Sequence, residues 1–503
     1  MRGIETSVRK IRHQVFAEVA RLAFELGENT DLNGAIEAIP YKITPDDKPL
    51  YRDSIYRERA IAAERVRLAM GMSLRPENKP VHVTSGLSAS NISDKYYEPP
   101  LMQVIPSACD MCEHNVYEVS DQCHGCVAHP CMEVCPKQAI SMVNGKAHID
   151  REKCIKCGKC KAICPYDAIA HKMRPCASAC GISAIGSDDQ GRAKIDNDKC
   201  VSCGQCMVAC PFGAIADKSQ IFQLIRAIQK GDEVVAEVAP AIIGQFGPNV
   251  RLWKIKAALL ELGFKEVYET ALGADIGAIT EAHHYVNEVK TGKLPFLLTS
   301  CCPSWSMLAK ETLPEDVIET VSSALTPMVA TARSIKQKRP NARVVFVGPC
   351  ASKKLEASRT TIRSDVDFVI TFEELSAMLD AKGIKFDELE EVPVHDATGA
   401  GRGYGVAGGV AKAIEDCINE YYPETEVLIE HAEGLDNLKK ILMLAKAGKK
   451  DGCLIEGMAC PGGCVAGAGT CIQVSQGASA VRKFVSDSTT KLPAKDLEKI
   501  DLP

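Results

Sequence analysis

The sequence predicts a multi-domain α/β protein. A helical N-terminal region and a cysteine-dense α+β module precede an α/β domain with mainly parallel sheets. Three observations carry this. At 503 residues the chain exceeds one ordinary domain. Sixteen of its 24 cysteines fall between Cys109 and Cys210. Beyond them, apolar strand-like runs alternate with helical patterns, as when helices connect parallel strands.

Residues 1–100 contain no cysteine. Val8–Leu26 and Tyr51–Met72 carry apolar residues at helical spacing, and the proline-rich stretch Ile39–Pro49 separates them. The region reads as helices packed on the rest of the molecule. Residues 101–215 form the cysteine-dense module, and it is internally repetitive. Four segments end alike: Cys135-Pro-Lys-Gln-Ala-Ile, Cys164-Pro-Tyr-Asp-Ala-Ile, Cys180-Gly-Ile-Ser-Ala-Ile and Cys210-Pro-Phe-Gly-Ala-Ile. In residues 216–475, Glu233–Ala239, Pro295–Thr299, Ala342–Val347 and Asp367–Thr371 read as strands. Met328–Lys338, Glu373–Leu379 and Leu435–Ala447 read as helices. Residues 476–503 are polar and read as a tail or peripheral helix.

The net charge of −5 is dispersed, which argues against a nucleic-acid surface. No apolar run is long enough to span a bilayer. The first residues, Met-Arg-Gly-Ile-Glu-Thr-Ser-Val-Arg-Lys, lack a signal-type apolar region, so a cytoplasmic protein is expected. In such a chain, dense cysteine points to metal ligation rather than disulfides.

The spacings agree. Cys154, Cys157, Cys160 and Cys164-Pro165 follow the C-x2-C-x2-C-x3-C-P pattern of bacterial ferredoxins, and Cys200, Cys203, Cys206 and Cys210-Pro211 repeat it. In that pattern one loop wraps three corners of a [4Fe-4S] cube, and the fourth cysteine ligates the neighbouring cluster. Cys123, Cys126, Cys131 and Cys135 are a variant with a longer second gap. One inner cluster is therefore expected on Cys123, Cys126, Cys131 and Cys164, and the other on Cys154, Cys157, Cys160 and Cys135. The second complete run needs a partner. Cys176 and Cys180 mirror Cys131 and Cys135, but their C-x-x-C lies far upstream, at Cys109 and Cys112. The inner unit is thus expected to be inserted into an outer one. The outer clusters then fall on Cys109, Cys112, Cys176 and Cys210, and on Cys200, Cys203, Cys206 and Cys180. The alternative is zinc on Cys109–Cys112 and Cys123–Cys126 as C-x-x-C knuckles. It leaves Cys131 and Cys176 without partners.

Three motifs further on hold five cysteines: Thr299-Ser-Cys-Cys-Pro-Ser-Trp305, Gly348-Pro-Cys-Ala-Ser-Lys-Lys-Leu-Glu356 and Glu456-Gly-Met-Ala-Cys-Pro-Gly-Gly-Cys464. Each follows or adjoins an apolar run, which presents its thiols on loops at strand ends. Four thiolates suit the four corners of a cubane, with one left over for chemistry.

These motifs, in this order, resemble the signatures of the [FeFe]-hydrogenases, over roughly residues 216–475. The resemblance implies a [4Fe-4S] cluster on Cys302, Cys350, Cys460 and Cys464. Cys464 would also bridge to a two-iron unit bearing CO, cyanide and an azadithiolate. Together these make the family's H-cluster. Cys301 matches the proton-relay thiol, and a thiol both gives and accepts a proton. Lys353 matches the lysine that donates to a cyanide ligand. Glu356 and Met458 also fall on family positions. Glu281, Ser322 and His284 are candidates to continue the proton route, although His284 reads equally well as a helix-surface residue. The implied activity is 2H+ + 2e− ⇌ H2, with electrons exchanged through four accessory clusters with a soluble carrier such as ferredoxin. Maturation proteins would build the diiron unit.

Departures are specific. Gly348 stands where many members carry methionine, which is expected to open part of the pocket wall. Ala239-Pro240-Ala241 lacks a common hydroxyl, Met328 replaces a common glutamine, and Gly467-Ala-Gly469 is bulkier than three glycines. Two further classes stay open: a hydrogen sensor on the same fold, and an iron–sulfur assembly or electron-transfer protein without the diiron unit. Sensor-like relatives tend to lose the relay cysteine and carry signalling domains. Assembly-type relatives usually lose the Cys301-type thiol or the Lys353-type lysine. Both residues are present here. Gly403-Tyr-Gly-Val-Ala-Gly408 fits a dinucleotide fingerprint, but with no strand before it, it reads as a tight turn into a helix. Cys417, Cys453 and Cys471 read as small buried hydrophobes.

Overall fold

The computed structural model describes residues 3–27, 30–394 and 397–497, without the side chain of residue 316. At its centre is a four-stranded parallel sheet in the order Glu266–Glu269, Val234–Val238, Arg343–Gly348, Phe368–Thr371. A second parallel sheet has the order Leu297–Leu298, Cys453–Met458, Leu428–Glu433. The expected strands all lie on these sheets, and the expected helices form as Pro327–Lys338, Phe372–Lys382 and Leu435–Lys446. The inner strands are buried along their length, apart from Arg343 at the start of one, because helices cover both faces, so they read as apolar runs without alternation. In a parallel sheet the carboxyl ends of the strands share one side, and crevices open there. Four of these strands run out directly into Ala239-Pro240, Cys301-Cys302, Cys350 and Cys460.

The N-terminal region has three long helices rather than two. Ser7–Glu25 is capped by Thr6 and buries Val15, Val19 and Ala23. The stretch expected to separate the helices instead contributes to another one, Leu32–Ile43, capped by Asp31. Ile36, Ile39 and Ile43 form its buried stripe, and that burial outweighs the one backbone hydrogen bond lost at Pro40. Ile55–Ala69 follows. These helices share one hydrophobic core with the four-stranded sheet. The C-terminal segment is also docked. Helix Val474–Ser486 buries Val481, and Thr490 and Lys491 accept backbone hydrogen bonds from Gly399 and Ala400 at 2.9 and 3.0 Å. Residues 498–503 lie outside the described residues.

The cysteine-dense module is built from short antiparallel ribbons. Met102–Val104 pairs with Ile215–Asp217, and Val116–Val119 pairs with Ile169–Lys172. The hairpins Ile140–Val143/Lys146–Ile149 and Ile185–Ser187/Ala193–Ile195 complete it. No strand precedes Gly403–Gly408, which joins helices Gly399–Gly403 and Gly409–Tyr421. Cys417 and Cys453 are buried, and Cys471 is half-buried. Among the described residues no helix is long and apolar enough to cross a membrane.

Candidate metal centre

Each of the three motifs turns sharply at a strand end. Cys302 precedes helix Pro303–Thr312, whose first residue is a proline pre-set for that position. Cys350 precedes the short helix Ala351–Glu356. Cys460 and Cys464 flank Gly462 and Gly463, which have φ of +98° and +83°. A Cβ on Gly463 would lie 2.4 Å from the Ala407 nitrogen, so only glycine fits this loop.

The loops meet. Cys301, Cys302, Cys350, Cys460 and Cys464 all line one cavity of about 90 Å³. The rest of its wall is largely apolar, with Pro240, Ala241, Met328, Phe346, Tyr404 and Met458. Burial pushes the Cys350 thiol up to about 11 and Cys464 up to about 12, and raises Cys302 as well. Such thiols ionise when a positive centre sits among them, as metal binding requires. Among the described residues no three His, Cys, Asp or Glu side chains close on a single ion. Four thiols from three loops on one cavity fit the four corners of a cubane.

Lys353 lines the same cavity. Its Nζ lies 2.6 Å from Glu356 Oε2, and both side chains are buried. The angles nevertheless leave neither atom a well-formed hydrogen bond. Burial opposes the ammonium charge, but Glu356 and Cys350 outweigh it and raise the lysine. A buried cation with unspent donors suits an anionic acceptor in the cavity.

Cys301 is half-buried beside Glu281 and the other thiols, and desolvation pushes its thiol well up. Glu281 is 2% exposed, accepts from the Ser300 backbone N–H at 3.2 Å and bonds the Ser322 side chain. Burial pushes it up to about 7 despite those bonds. Cys301, Glu281 and Ser322 are therefore brought together. His284 is half-buried on the same helix, and among the described residues no hydrogen bond links it to Glu281 or Ser322.

The departures cluster at this cavity, since Ala241, Met328 and Gly467 all line it. Gly348 does not open the wall as expected. A Cβ at 348 would lie 2.2 Å from the Phe346 ring, which folds into that space and lines the cavity instead. Period-two alternation puts 346 and 348 on one strand face, but it does not say that the ring folds back over the glycine. Glu237 was missed as well. It is fully buried, accepts from Thr270 Oγ1 at 3.4 Å and is raised well up by burial against the pull of Lys353. A lone carboxylate inside Val-Val-Ala-Glu-Val was the available sign.

The sixteen upstream cysteines sit in repeated settings. The residue before the second cysteine of the first C-x-x-C in each run has positive φ: Met111, Gly125, Lys156 and Ser202. Gln138, Asp167, Ser183 and Gly213, three residues beyond the last cysteine of each repeat, do the same. Cys135, Cys180 and Cys210 each accept from the backbone N–H four residues on, at 3.2–3.4 Å. Cys123 accepts from Ala147 N–H and Cys109 from Ala193 N–H, both at 3.4 Å and both from a hairpin strand. Cys109, Cys112, Cys176 and Cys210 line one small cavity; Cys135, Cys154, Cys157 and Cys160 line another. Cys131 lies within electrostatic reach of Cys126 and Cys164, as Cys206 does of Cys203, Cys200 and Cys180. The Cys200–Cys206 loop docks on the helices that follow Cys302 and Cys350, because Val201 O accepts from Ser304 Oγ and Ser352 Oγ at 3.0 and 3.2 Å.

Residues 232–468 match the model of the iron only hydrogenase large subunit, C-terminal domain. Residues 193–216 match a 4Fe-4S binding domain, and 123–174 an LdpA Fe-S cluster-binding domain. Iron hydrogenase 1 of Clostridium pasteurianum is 32% identical over 391 residues, covering 66% of this chain and 67% of that one. The chain belongs to the iron-only hydrogenase family. At this distance relatives differ in kind. Cytosolic iron-sulfur assembly component 3 of Bos taurus is 26% identical over 293 residues, 47% of this chain and 62% of its own. The [FeFe]-hydrogenase HydA1 from Chlamydomonas reinhardtii is similar in structure over 53% of this chain and 88% of its own, at 23% identity and a TM-score of 0.44.

Proposed function

We propose that this member of the family is a hydrogenase that interconverts protons, electrons and H2, working in the cytoplasm with a soluble carrier such as ferredoxin. The observation that carries the reading is the convergence of four thiols on one apolar cavity, with a fifth thiol left over beside Glu281. Cys302, Cys350, Cys460 and Cys464 would hold the [4Fe-4S] part of an H-cluster, and Cys464 would also hold its diiron unit. When bound, that unit supplies the redox centre at which H2 is formed or split. Lys353, kept charged by Glu356, donates to an anionic ligand. Cys301 exchanges a proton with the cavity, and Glu281, steadied by Ser322, exchanges it onward. Phe346, Met328 and Met458 keep water out, which strengthens each of these interactions.

Residues 101–215 carry electrons over four [4Fe-4S] clusters in two nested pairs. Support comes from the shared turn at all four C-x-x-C loops and from the matching sulfur acceptors Cys109 and Cys123. On this division residues 1–100 form the helical N-terminal region, 216–475 the catalytic domain and 476–503 the C-terminal tail.

Infrared spectroscopy of the matured protein tests the reading, with CO and cyanide stretches the expected result. A loaded cubane without those bands favours the second reading, iron–sulfur assembly or electron transfer, to which the similarity with the Bos taurus protein points.

A further inference from the structure

Three arginines of the N-terminal region reach across to one cluster site of the cysteine-dense module. Arg57 donates to Ser107 O at 2.8 Å and Arg52 to Ala108 O at 3.4 Å, the two carbonyls just before Cys109. Arg52 also donates to Phe212 O at 2.8 Å, and Arg65 donates to Gly213 O, both just beyond Cys210. From inside the module, Arg174 donates to Cys112 O at 2.9 Å and lines the cavity shared by Cys109, Cys112, Cys176 and Cys210. Arg65 and Arg174 are 6% and 4% exposed. Burial lowers Arg65 only to about 10, so it stays charged at neutral pH. Cys210 lies within electrostatic reach of Arg65, and Cys176 of Arg174. The loop carrying Arg52 is itself fixed, because Glu58 accepts from the backbone N–H of Leu50 and Arg52 at 2.9 and 2.7 Å. Asp53 and Asp110 are the other carboxylates nearby, and both are exposed, where salt screens them. The second outer site lacks such a collar. The charged groups that act most strongly on Cys200, Cys203 and Cys206 are other thiols and Asp196.

We propose that the helical N-terminal region is an electrostatic clamp, in which Arg52, Arg57 and Arg65, together with Arg174, raise the reduction potential of a cluster on Cys109, Cys112, Cys176 and Cys210 above that of a cluster on Cys200, Cys203, Cys206 and Cys180. Reduction adds one electron, and so one negative charge, to a cube, and local charge is one of the levers that set its potential. Guanidinium groups held beside the cube favour the reduced form. The electron comes from a neighbouring cluster or from the soluble carrier, and no proton or ligand is exchanged. An electron in the module then rests on this cluster in preference to its outer neighbour. The inference rests on the reading of residues 101–215 as cluster-bearing, and not on hydrogen turnover.

The test is a redox titration of the full chain with its clusters reconstituted, followed by electron paramagnetic resonance at low salt. The signal lost in Cys109→Ala marks the clamped cluster, and the signal lost in Cys200→Ala marks its neighbour. In the parent protein the first should have the higher midpoint, and the reverse order overturns the proposal. Arg52→Gln keeps a donor but removes the charge. At a fixed potential its reduced-to-oxidised ratio should fall about tenfold, a downward shift of about 59 mV for one electron. Arg52→Lys keeps the charge and should keep the midpoint. An unmoved midpoint in Arg52→Gln overturns the proposal. So does an equal fall in Arg52→Lys, which would assign the effect to packing. If Arg52→Gln does not fold, Arg57→Gln is held to the same expectation. Should Cys109→Ala lose no cluster signal at all, the cluster reading itself fails, whereas a signal present but unmoved by the arginine changes sinks only the clamp.

Discussion

The side-chain amide of Gln205 donates to Cys460 Sγ at 3.1 Å. Gln205 lies between Cys203 and Cys206 in the cysteine-dense module, whereas Cys460 belongs to the central cavity. One hydrogen bond therefore joins a loop read as holding an accessory cluster to a sulfur read as a corner of the catalytic one. Hydrogen bonds to cluster sulfurs favour the reduced, more negative state. Gln205→Leu should lower the reduction potential of the cluster on Cys302, Cys350, Cys460 and Cys464, measured by redox titration followed by electron paramagnetic resonance. An unchanged potential would show that the bond is not kept in the loaded protein.

Iron content checks the cluster count. Four accessory cubanes and a six-iron centre amount to about 22 irons per chain. Analysis of anaerobically reconstituted and matured protein should give that value. A count near fourteen would leave two accessory clusters and reject the nested arrangement.

The nesting itself is tested by pairing. Cys109→Ala and Cys210→Ala each remove one corner of the same cluster, although the residues lie at opposite ends of the module. Both variants should lose the same paramagnetic signal and leave that of the Cys154–Cys160 loop unchanged. Loss of different signals, or zinc recovered at Cys109, counts against it.

Much of this was legible in the sequence because metal clusters force their ligands into fixed spacings. Cys154–Cys164 and Cys200–Cys210 could be read without any structure. The strands around Val234–Val238 and Arg343–Gly348 were legible as well, since a strand buried on both faces is an apolar run. What stayed hidden was set by packing. Nothing near Gly348 alone says that Phe346 fills its place, and nothing in Gly-Gln-Cys says that Gln205 reaches Cys460. The helix Leu32–Ile43 was obscured by Pro40, because one local breaker masked a stripe of three isoleucines.

Cys301→Ala separates catalysis from assembly. The change removes a proton carrier but no ligand, so diiron infrared bands should persist while hydrogen turnover falls by about 10²-fold or more. Near-normal turnover with intact clusters would mean that protons reach the centre elsewhere.

Glu281 makes stability depend on pH. Its folded-state value of about 7 lies above the ordinary 4.5, so between these values the folded chain binds more protons than the unfolded one. Stability should fall as pH rises from about 5 to 7, by roughly 3 kcal/mol at most. Glu281→Gln should remove that slope in denaturation curves taken at pH 5 and 8. An identical slope in the variant would place the titration on another group.

The three N-terminal helices share a core with strands that the ribosome makes much later. Helix Ser7–Glu25 packs against Phe372–Lys382, and the whole cysteine-dense module is synthesised between them. The apolar faces of Val15, Val19 and Ala23 thus wait, uncovered, while more than half the chain emerges. The face of Ser7–Glu25 that meets Phe372–Lys382 therefore stays unpaired until residues 101–215 have already emerged.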